Sequence, residues 1–305
     1  MLISRDINKE NDQFEHFLIG ELMMKNILKQ SIWRFYDQST SAITRSPLES
    51  FATDDTLCQL VGQGQSAPVV RTWVHDASVV LGIQDHRLPH VLEGMAELEK
   101  QGYHPIVRNS GGLAVVLDRG VLNISIVLSE QEHSLDINSG YDVMVELVKK
   151  IFPEVSEKIE AYEIVGSYCP GTYDLSIGGK KFAGISQRRL RQGVAVQIYL
   201  CVEGSGSERA KLIRDFYKVS LKGEETKFVY PIVIPEVMAS LSELLEQELT
   251  VQQVVLRLQE VLAELATEEV QTLPLQESEM ELYTFYLKRV FNRNAKMLEK
   301  ESDTR

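Results

Sequence analysis

The chain has 305 residues, of which 44% are hydrophobic and 25% charged, a length and composition that suit one large globular domain with a small appendage. A formal net charge of −12 and a pI near 5.1 argue against nucleic acid or an anionic membrane as the main partner, since both are held by positive charge. No apolar run approaches the ~20 residues that a membrane-spanning helix needs. The N-terminus, with Asp6, Glu10, Asp12 and Glu15, lacks the basic-then-apolar order of a signal peptide, so a cytoplasmic location is expected.

Residues 1–30 are polar and weakly patterned and read as a variable N-terminal extension. Residues 50–61 have helical spacing, with Gly62 as the stop. Runs at 69–74 and 79–83 are rich in β-formers and flank His75-Asp76-Ala77-Ser78, which predicts a hairpin. An amphipathic helix is expected over 89–101, with Pro89 near its start and Gly102 past its end. Two more β-runs, 113–117 and 122–128, flank a turn at Asp118-Arg119-Gly120. Val145, Leu147, Val148 and Ile151 give 141–152 the periodicity of a helix that Pro153 ends. The clearest hairpin is 173–185, two alternating strands around Gly178-Gly179, a pair that readily supplies the positive φ of a tight turn. A strand at 193–202 and helices at 208–218 and 235–249 follow. Thr250 and Gln253 form a capping-box pattern that opens another helix, and a last helix covers 278–299. Strands and helices mix without regular βαβ alternation. That pattern predicts an α+β fold, a largely antiparallel sheet flanked by helices, with the main domain at 31–225 and a helical C-terminal region at 226–305 packed on it.

Cys58, Cys169 and Cys201 are widely spaced without a CxxC pair, and the six histidines form no HExxH pattern; neither a disulfide framework nor a metal site is expected. Cys58 and Cys201 fall on a helix and a strand and suit a buried, structural role. Cys169 differs: Val165-Gly166-Ser167-Tyr168-Cys169-Pro170-Gly171 is a loop in which a thiol can meet a substrate. Arg108-Asn109-Ser110-Gly111-Gly112 lies between two β-runs. Its glycines let backbone approach a ligand, its N–H groups can cradle a carbonyl oxygen or phosphate, and Arg108 adds a fixed charge; an ordinary turn has the same composition. Lys180-Lys181 follow the Gly-Gly turn, and alternation sends one to solvent and the other toward the sheet's working or buried face. An inward lysine is costly unless paired or used. Arg188, Arg189 and Arg191 make the next stretch the most basic in the chain, with a solvated run as the plain reading, above all for Arg191.

In this order the segments resemble the biotin/lipoate protein ligase and octanoyltransferase superfamily, over about 73–202 and more loosely over 33–263. Val79-Val80-Leu81-Gly82-Ile83-Gln84 resembles its apolar strand ending in Gly-x-Gln. Arg108-Asn109-Ser110-Gly111-Gly112-Leu113-Ala114-Val115 resembles its arginine and Ser/Thr-Gly-Gly ligand loop, and the residues through Asn123 the hairpin that follows. Asp174-Leu175 through Gly178-Gly179-Lys180-Lys181-Phe182-Ala183-Gly184 resembles the segment carrying its lysine, and the apolar-small-Gly triplet selects Lys181. Where the ATP-using ligases have a third glycine and a histidine before the aspartate, this chain has Leu113 and Leu117. A cysteine upstream of the lysine hairpin, as at Cys169, resembles the octanoyltransferases that form an acyl-thioester. The run from Gly166 to Ile177 is most like the branch that moves octanoyl between carrier lysines.

The resemblance implies a class II synthetase/biotin-lipoate ligase-like fold. It further implies transfer of an octanoyl or lipoyl group from the glycine cleavage H protein to the lysine of lipoyl domains of 2-oxoacid dehydrogenases. Cys169 would be the nucleophile and Lys181 the general acid/base, with the acyl group bound by Arg108, Ser110, Gly111, Gly112, Ala114, Val115 and Gly184. No ATP, metal or other cofactor is implied. Three alternatives stay open: a sister activity drawing octanoate from acyl carrier protein, an ATP-dependent lipoate-protein ligase, and an acyl-binding relative without turnover.

Overall fold

The computed structural model describes residues 27–108, 111–131 and 134–299. In chain order it contains β1 (Gln30–Gln38), α1 (Pro47–Gly62), β2 (Val69–Trp73), β3 (Ser78–Leu81), α2 (Val91–Lys100), β4 (His104–Val107), β5 (Val115–Leu117), β6 (Val121–Ser129) and α3 (Ile137–Ile151). Then come β7 (Ile159–Ala161), β8 (Asp174–Ile177), β9 (Lys180–Leu190), β10 (Gly193–Cys201), α4 (Gly206–Leu221), α5 (Leu241–Leu245), α6 (Val251–Leu265), β11 (Ala266–Thr272) and α7 (Met280–Glu299). One sheet has the order β11-β1-β2-β6-β10-β9-β8-β7, and a smaller one the order β4-β3-β5. In the large sheet β1 runs parallel to β2 and β11, and every other pairing is antiparallel.

Strand alternation gives the large sheet two unlike faces. On one, Val194, Val196, Ile198 and Leu200 of β10 pack under Val143, Leu147 and Ile151 of α3 and Val254, Leu258 and Leu262 of α6, each burial worth about 1.5–3 kcal/mol. Helix α6 starts where expected: the Thr250 hydroxyl accepts the Gln253 N–H at 3.2 Å and the Gln253 side chain accepts the Thr250 N–H at 2.8 Å, a cap worth about 1 kcal/mol. On the other face, Leu57, Cys58 and Val61 of α1 cover Ala195 and Val127. The small sheet, α2 and α4 build a second apolar layer around Val79, Leu81, Val116, Leu98, Ile213 and Phe216. The functional residues lie between that layer and the middle of the large sheet.

Two expected hairpins do not form. β2 and β6 pair with each other in the large sheet, while β3 and β5 pair in the small one, so 69–83 and 113–128 are each split between layers. Apolar alternation fixes which way side chains point but not which strand is the partner. The turn at Asp118-Arg119-Gly120 does form, with the Val121 N–H donating to the Asp118 carbonyl at 3.0 Å, and the Asp118 carboxylate also takes two hydrogen bonds from Arg209 of α4, at 2.6 and 2.7 Å. The helix expected over 235–249 is broken into a 3-10 turn, Pro235–Val237, and α5, which a Ser240–Glu243 capping box restarts. β1 and β11 carried no strand expectation, and β11 gives the C-terminal region an edge strand beside its helices. The hairpin at Gly178-Gly179 forms as expected, with φ of 57° and 73°. Residues 1–26 of the expected extension lie outside the described residues. Among the described residues no helix is long and apolar enough to cross a membrane.

Candidate active site

Cys169 lies in the loop between β7 and β8 with φ of 46°, a left-handed conformation that costs a non-glycine residue energy. Its Sγ accepts the Leu113 N–H at 3.3 Å, and the Arg108 guanidinium lies 3.9 Å away. Arg108 is held there by donating to the Leu113 carbonyl at 3.0 Å. Gly112, with φ of 90°, lets the loop pass between them: a Cβ there would fall 2.2 Å from the Arg108 guanidinium and 3.5 Å from the Cys169 sulfur. A backbone donor and a cation thus flank one partly exposed sulfur.

Lys181 is fully buried, and its ammonium meets the Asp174 carboxylate at 2.8 Å, the Cys169 carbonyl at 2.9 Å, the Tyr168 carbonyl at 3.0 Å and the Ser167 hydroxyl at 3.2 Å. An ammonium has three protons, so these acceptors saturate it. Lys181 is therefore stitched to the backbone of the Cys169 loop rather than to the sulfur. Asp174 also accepts the Ile164 N–H at 3.2 Å. Burial raises the Asp174 carboxyl above its ordinary pKa, and Lys181 is the main opposing influence.

A bulge brings Lys181 to this face. Plain alternation from Gly184, which faces the site, would turn Lys181 away. Between Leu175 and Ser176 of β8, however, β9 advances two residues, from Ala183 to Lys181. The extra residue, Phe182, joins Ala183 in the apolar cluster, and Lys181 returns to the site side, a re-aiming typical of bulges beside active sites.

A cleft runs along β9 and β10. Arg108 lines it at the sulfur end, Val80, Val115 and Leu117 form apolar wall, and Gly184 and Tyr199 face each other across a strand pair. Farther along lie Ser186, Gln197, Asn123, Trp73 and Phe51. Their polar groups are engaged from beneath: Gln197 donates to Asp54 at 2.6 Å, Asp54 takes Arg71 at 2.7 Å and Ser125 at 2.9 Å, and Asn123 donates to the Trp73 carbonyl at 3.3 Å. Burial, then Arg71, pushes His75 at the edge of this network down to about 4, so it is neutral.

Of the residues singled out from sequence, Cys169, Arg108, Gly112 and Lys181 come together, and Val115 and Gly184 line the cleft. Ala114 does not line it; its side chain is fully buried in the second apolar layer, because on β5 it is Val115 and Leu117 that turn toward the cleft. Gly111 is exposed, and Ser110 lies outside the described residues. Cys58 and Cys201 are buried; burial pushes Cys58 up to about 12 and raises Cys201, which keeps both as thiols. Arg188 and Arg189 pair with Asp55 and Glu130 rather than standing free, while Arg191 is exposed. Sequence reading missed Tyr199 and Gln197, which a period-2 reading of β10 toward the Gly184 face would have found. It also missed Asp85, which accepts the Gly82 N–H at 2.7 Å and the Tyr217 hydroxyl at 2.8 Å directly beneath Gly112, whose carbonyl packs on Gly82. Among the described residues no group of three or more His, Cys, Asp or Glu side chains is placed to hold a metal.

A mixed sheet of this topology, with an arginine-glycine loop and a buried lysine on one face, defines a lipoate-protein-ligase-like fold. A bipartite lipoate protein ligase from Thermoplasma acidophilum superposes with a TM-score of 0.61 at 19% identity, covering 85% of this chain and 93% of that one. A lipoate-protein ligase A bound with ATP gives 0.59 at 19% identity, covering 86% and 95%. The family model of the lipoyl protein ligase A/B catalytic domain matches residues 46–263, and the chain belongs to that family. Its relatives include a protein of Lysinibacillus sphaericus named "Octanoyl-[GcvH]:protein N-octanoyltransferase", 75% identical and covering 91% of this chain and 99% of the relative. Another, from Listeria monocytogenes, is named "Lipoyl-[GcvH]:protein N-lipoyltransferase", 50% identical and covering 89% and 98%.

Proposed function

We propose that the chain moves an octanoyl or lipoyl group from a lysine of the glycine cleavage H protein to a lysine of the lipoyl domains of 2-oxoacid dehydrogenases, through an acyl-thioester on Cys169. The observation that carries this reading is the Cys169 sulfur, set between the Leu113 N–H and Arg108, a residue that also lines the largely apolar cleft. The names of relatives that match nearly the whole chain support the donor and the acyl group. The Cys169 thiolate attacks the carbonyl carbon of the donor amide. As the C–S bond forms the carbonyl π pair moves to oxygen; as that pair returns the C–N bond breaks, and the donor lysine leaves with a proton. The acceptor lysine, having given up a proton, attacks the thioester, the C–S bond breaks, and the thiolate is restored.

Lys181 supplies and recovers the proton; general acid/base catalysis of this kind is worth ~10²–10⁴ in rate. An amide is replaced by an amide, so the transfer needs neither ATP nor a metal. Incubation with octanoylated H protein adds one octanoyl mass to the protein, hydroxylamine removes it, and Cys169→Ala neither charges nor transfers. Charging from octanoyl-acyl carrier protein alone would assign the sister activity, AMP release from ATP the ligase, and full transfer by Cys169→Ala would end the covalent mechanism.

A further inference from the structure

Tyr199 sits at the middle of the cleft, and its hydroxyl is the feature the scheme above leaves unused. On β10 it pairs with Gly184 of β9, and its ring lies flat over that glycine: a Cβ on Gly184 would come within 2.7 Å of a ring carbon. Tyr168 stacks on the ring with centroids 6.0 Å apart, and the Lys181 ammonium lies 5.8 Å from its centre. The ring is thus fixed on three sides. Yet Tyr199, only 8% exposed, has a buried hydroxyl with no hydrogen-bond partner among the described residues. Buried tyrosine hydroxyls almost always have one, because an unmet polar group in a dry site is costly.

Among the described residues, the other buried, unpartnered donor lining this cleft is Arg108 Nε. Two unmet donors facing one cleft call for an acceptor oxygen. The Leu113 N–H is not available for it, being committed to the Cys169 sulfur at 3.3 Å. Burial holds the Tyr199 phenol well above its usual pKa, and Cys169 is among the groups whose charge raises it further. It therefore remains an O–H donor through the working range.

We infer that the Tyr199 hydroxyl is the side chain that receives the acyl carbonyl oxygen, donating to it in the bound amide and in the oxyanion formed when Cys169 attacks. This rests on the thioester reading. The phenol keeps its proton throughout: charge gathers on the carbonyl oxygen as the C–S bond forms and leaves it as the C–N bond breaks. The donor thus acts on the reacting group itself, in a water-poor site where such donors have their largest effect.

Tyr199→Phe removes only the hydroxyl. Single-turnover charging by octanoylated H protein, followed by intact mass, falls by ~10²–10³. Binding of N-octanoyl-lysine amide to the unreactive Cys169→Ala protein weakens by only about 2- to 10-fold when Tyr199→Phe is added. Equal charging rates for the parent and Tyr199→Phe proteins overturn the inference and leave the transferase reading intact. If the parent protein takes no acyl group from any carrier, the transferase reading fails, and the binding comparison alone decides for or against Tyr199. Should Tyr199→Phe not fold, 3-fluorotyrosine at 199 in an otherwise unaltered chain gives the answer. Its fluorine resonance moves when N-octanoyl-lysine amide saturates the protein, and an unmoved resonance overturns the inference.

Discussion

Replacing Lys181 by methionine separates its hold on the loop from the acid/base role proposed for it. The change removes contacts of 2.8, 2.9, 3.0 and 3.2 Å and leaves Asp174, 2% exposed at its side chain, without a countercharge. Breaking one side of a buried pair costs about 3–5 kcal/mol. Asp174 keeps the Ile164 N–H and the Ser167 hydroxyl at 3.4 Å and can protonate, which places the loss near the lower figure, about 3 kcal/mol at neutral pH. The sign of the pH dependence follows from Asp174. Burial already raises its carboxyl and Lys181 lowers it, so the variant's carboxyl rises further. A carboxyl with a folded pKa above its unfolded one gives up stability as pH climbs through the folded value. The deficit is therefore smaller near about pH 5 than near about pH 8. Denaturant unfolding of parent and variant at both values measures it. Adding Asp174→Leu should recover most of the loss, since an apolar pair can replace a buried ion pair at little cost. Acyl loading by that double variant should stay down by ~10²–10⁴ even with stability restored. A Lys181→Met deficit below about 1 kcal/mol, flat with pH, would refute the view that this pair holds the loop.

Alkylation at neutral pH should modify Cys169 alone, because Cys58, pushed up to about 12, and the raised Cys201 remain buried thiols; peptide mapping after iodoacetamide checks this. Cys201→Ala should cost about 1–2 kcal/mol of stability with turnover kept, as measured by unfolding and transfer assays. Gly184→Ala forces a methyl to within 2.7 Å of the Tyr199 ring and should cost about 1–3 kcal/mol while slowing acyl loading, read by thermal unfolding and intact mass. Burial raises Asp85 to about 6 from an ordinary 3.8, so the folded state holds a proton there that the unfolded chain has lost. That contribution is present below about pH 4 and disappears as pH rises through about 6, so Asp85→Asn should gain on the parent by on the order of 2–3 kcal/mol across that window in urea titrations.

Much of the site was legible because its residues break local rules. Cys169 among Gly, Ser and Pro, two glycines after Arg108, and a lysine beside an apolar-small-Gly triplet each sit where a core or surface residue would not. Gly184 shows the limit of that reading. Its sequence context marks it, but the reason for it, the Tyr199 ring laid over it from the next strand, depends on register. The bulge at Phe182 was equally hidden, since it changes which face Lys181 occupies without changing composition. The false hairpins at 69–83 and 113–128 have the same origin: neighbours in sequence were assigned as neighbours in space, whereas β3 and β5 pair to form the small sheet over the cleft. β11, Ala-Thr-Glu-Glu-Val-Gln-Thr, is an edge strand with exposed glutamates, a composition that helps guard an open edge and obscures the strand in sequence.

The geometry couples the conformation of Cys169 to the proton inventory of the site. Cys169 holds a left-handed backbone at φ of 46°, a strain on the order of 1–3 kcal/mol. What opposes relaxation is the Lys181 ammonium, which takes the carbonyls of Tyr168 and Cys169 together. Those hydrogen bonds are charge-assisted, so they are strong only while Lys181 carries its proton. A lysine that has given up that proton to a leaving amine grips the loop less firmly. It becomes tight again when it takes a proton from the acceptor. On the thioester mechanism proposed above, the strained cysteine is thus held hardest in the resting protein, when the sulfur must be aimed, and least firmly in the acyl-enzyme, when one carrier must leave and another enter.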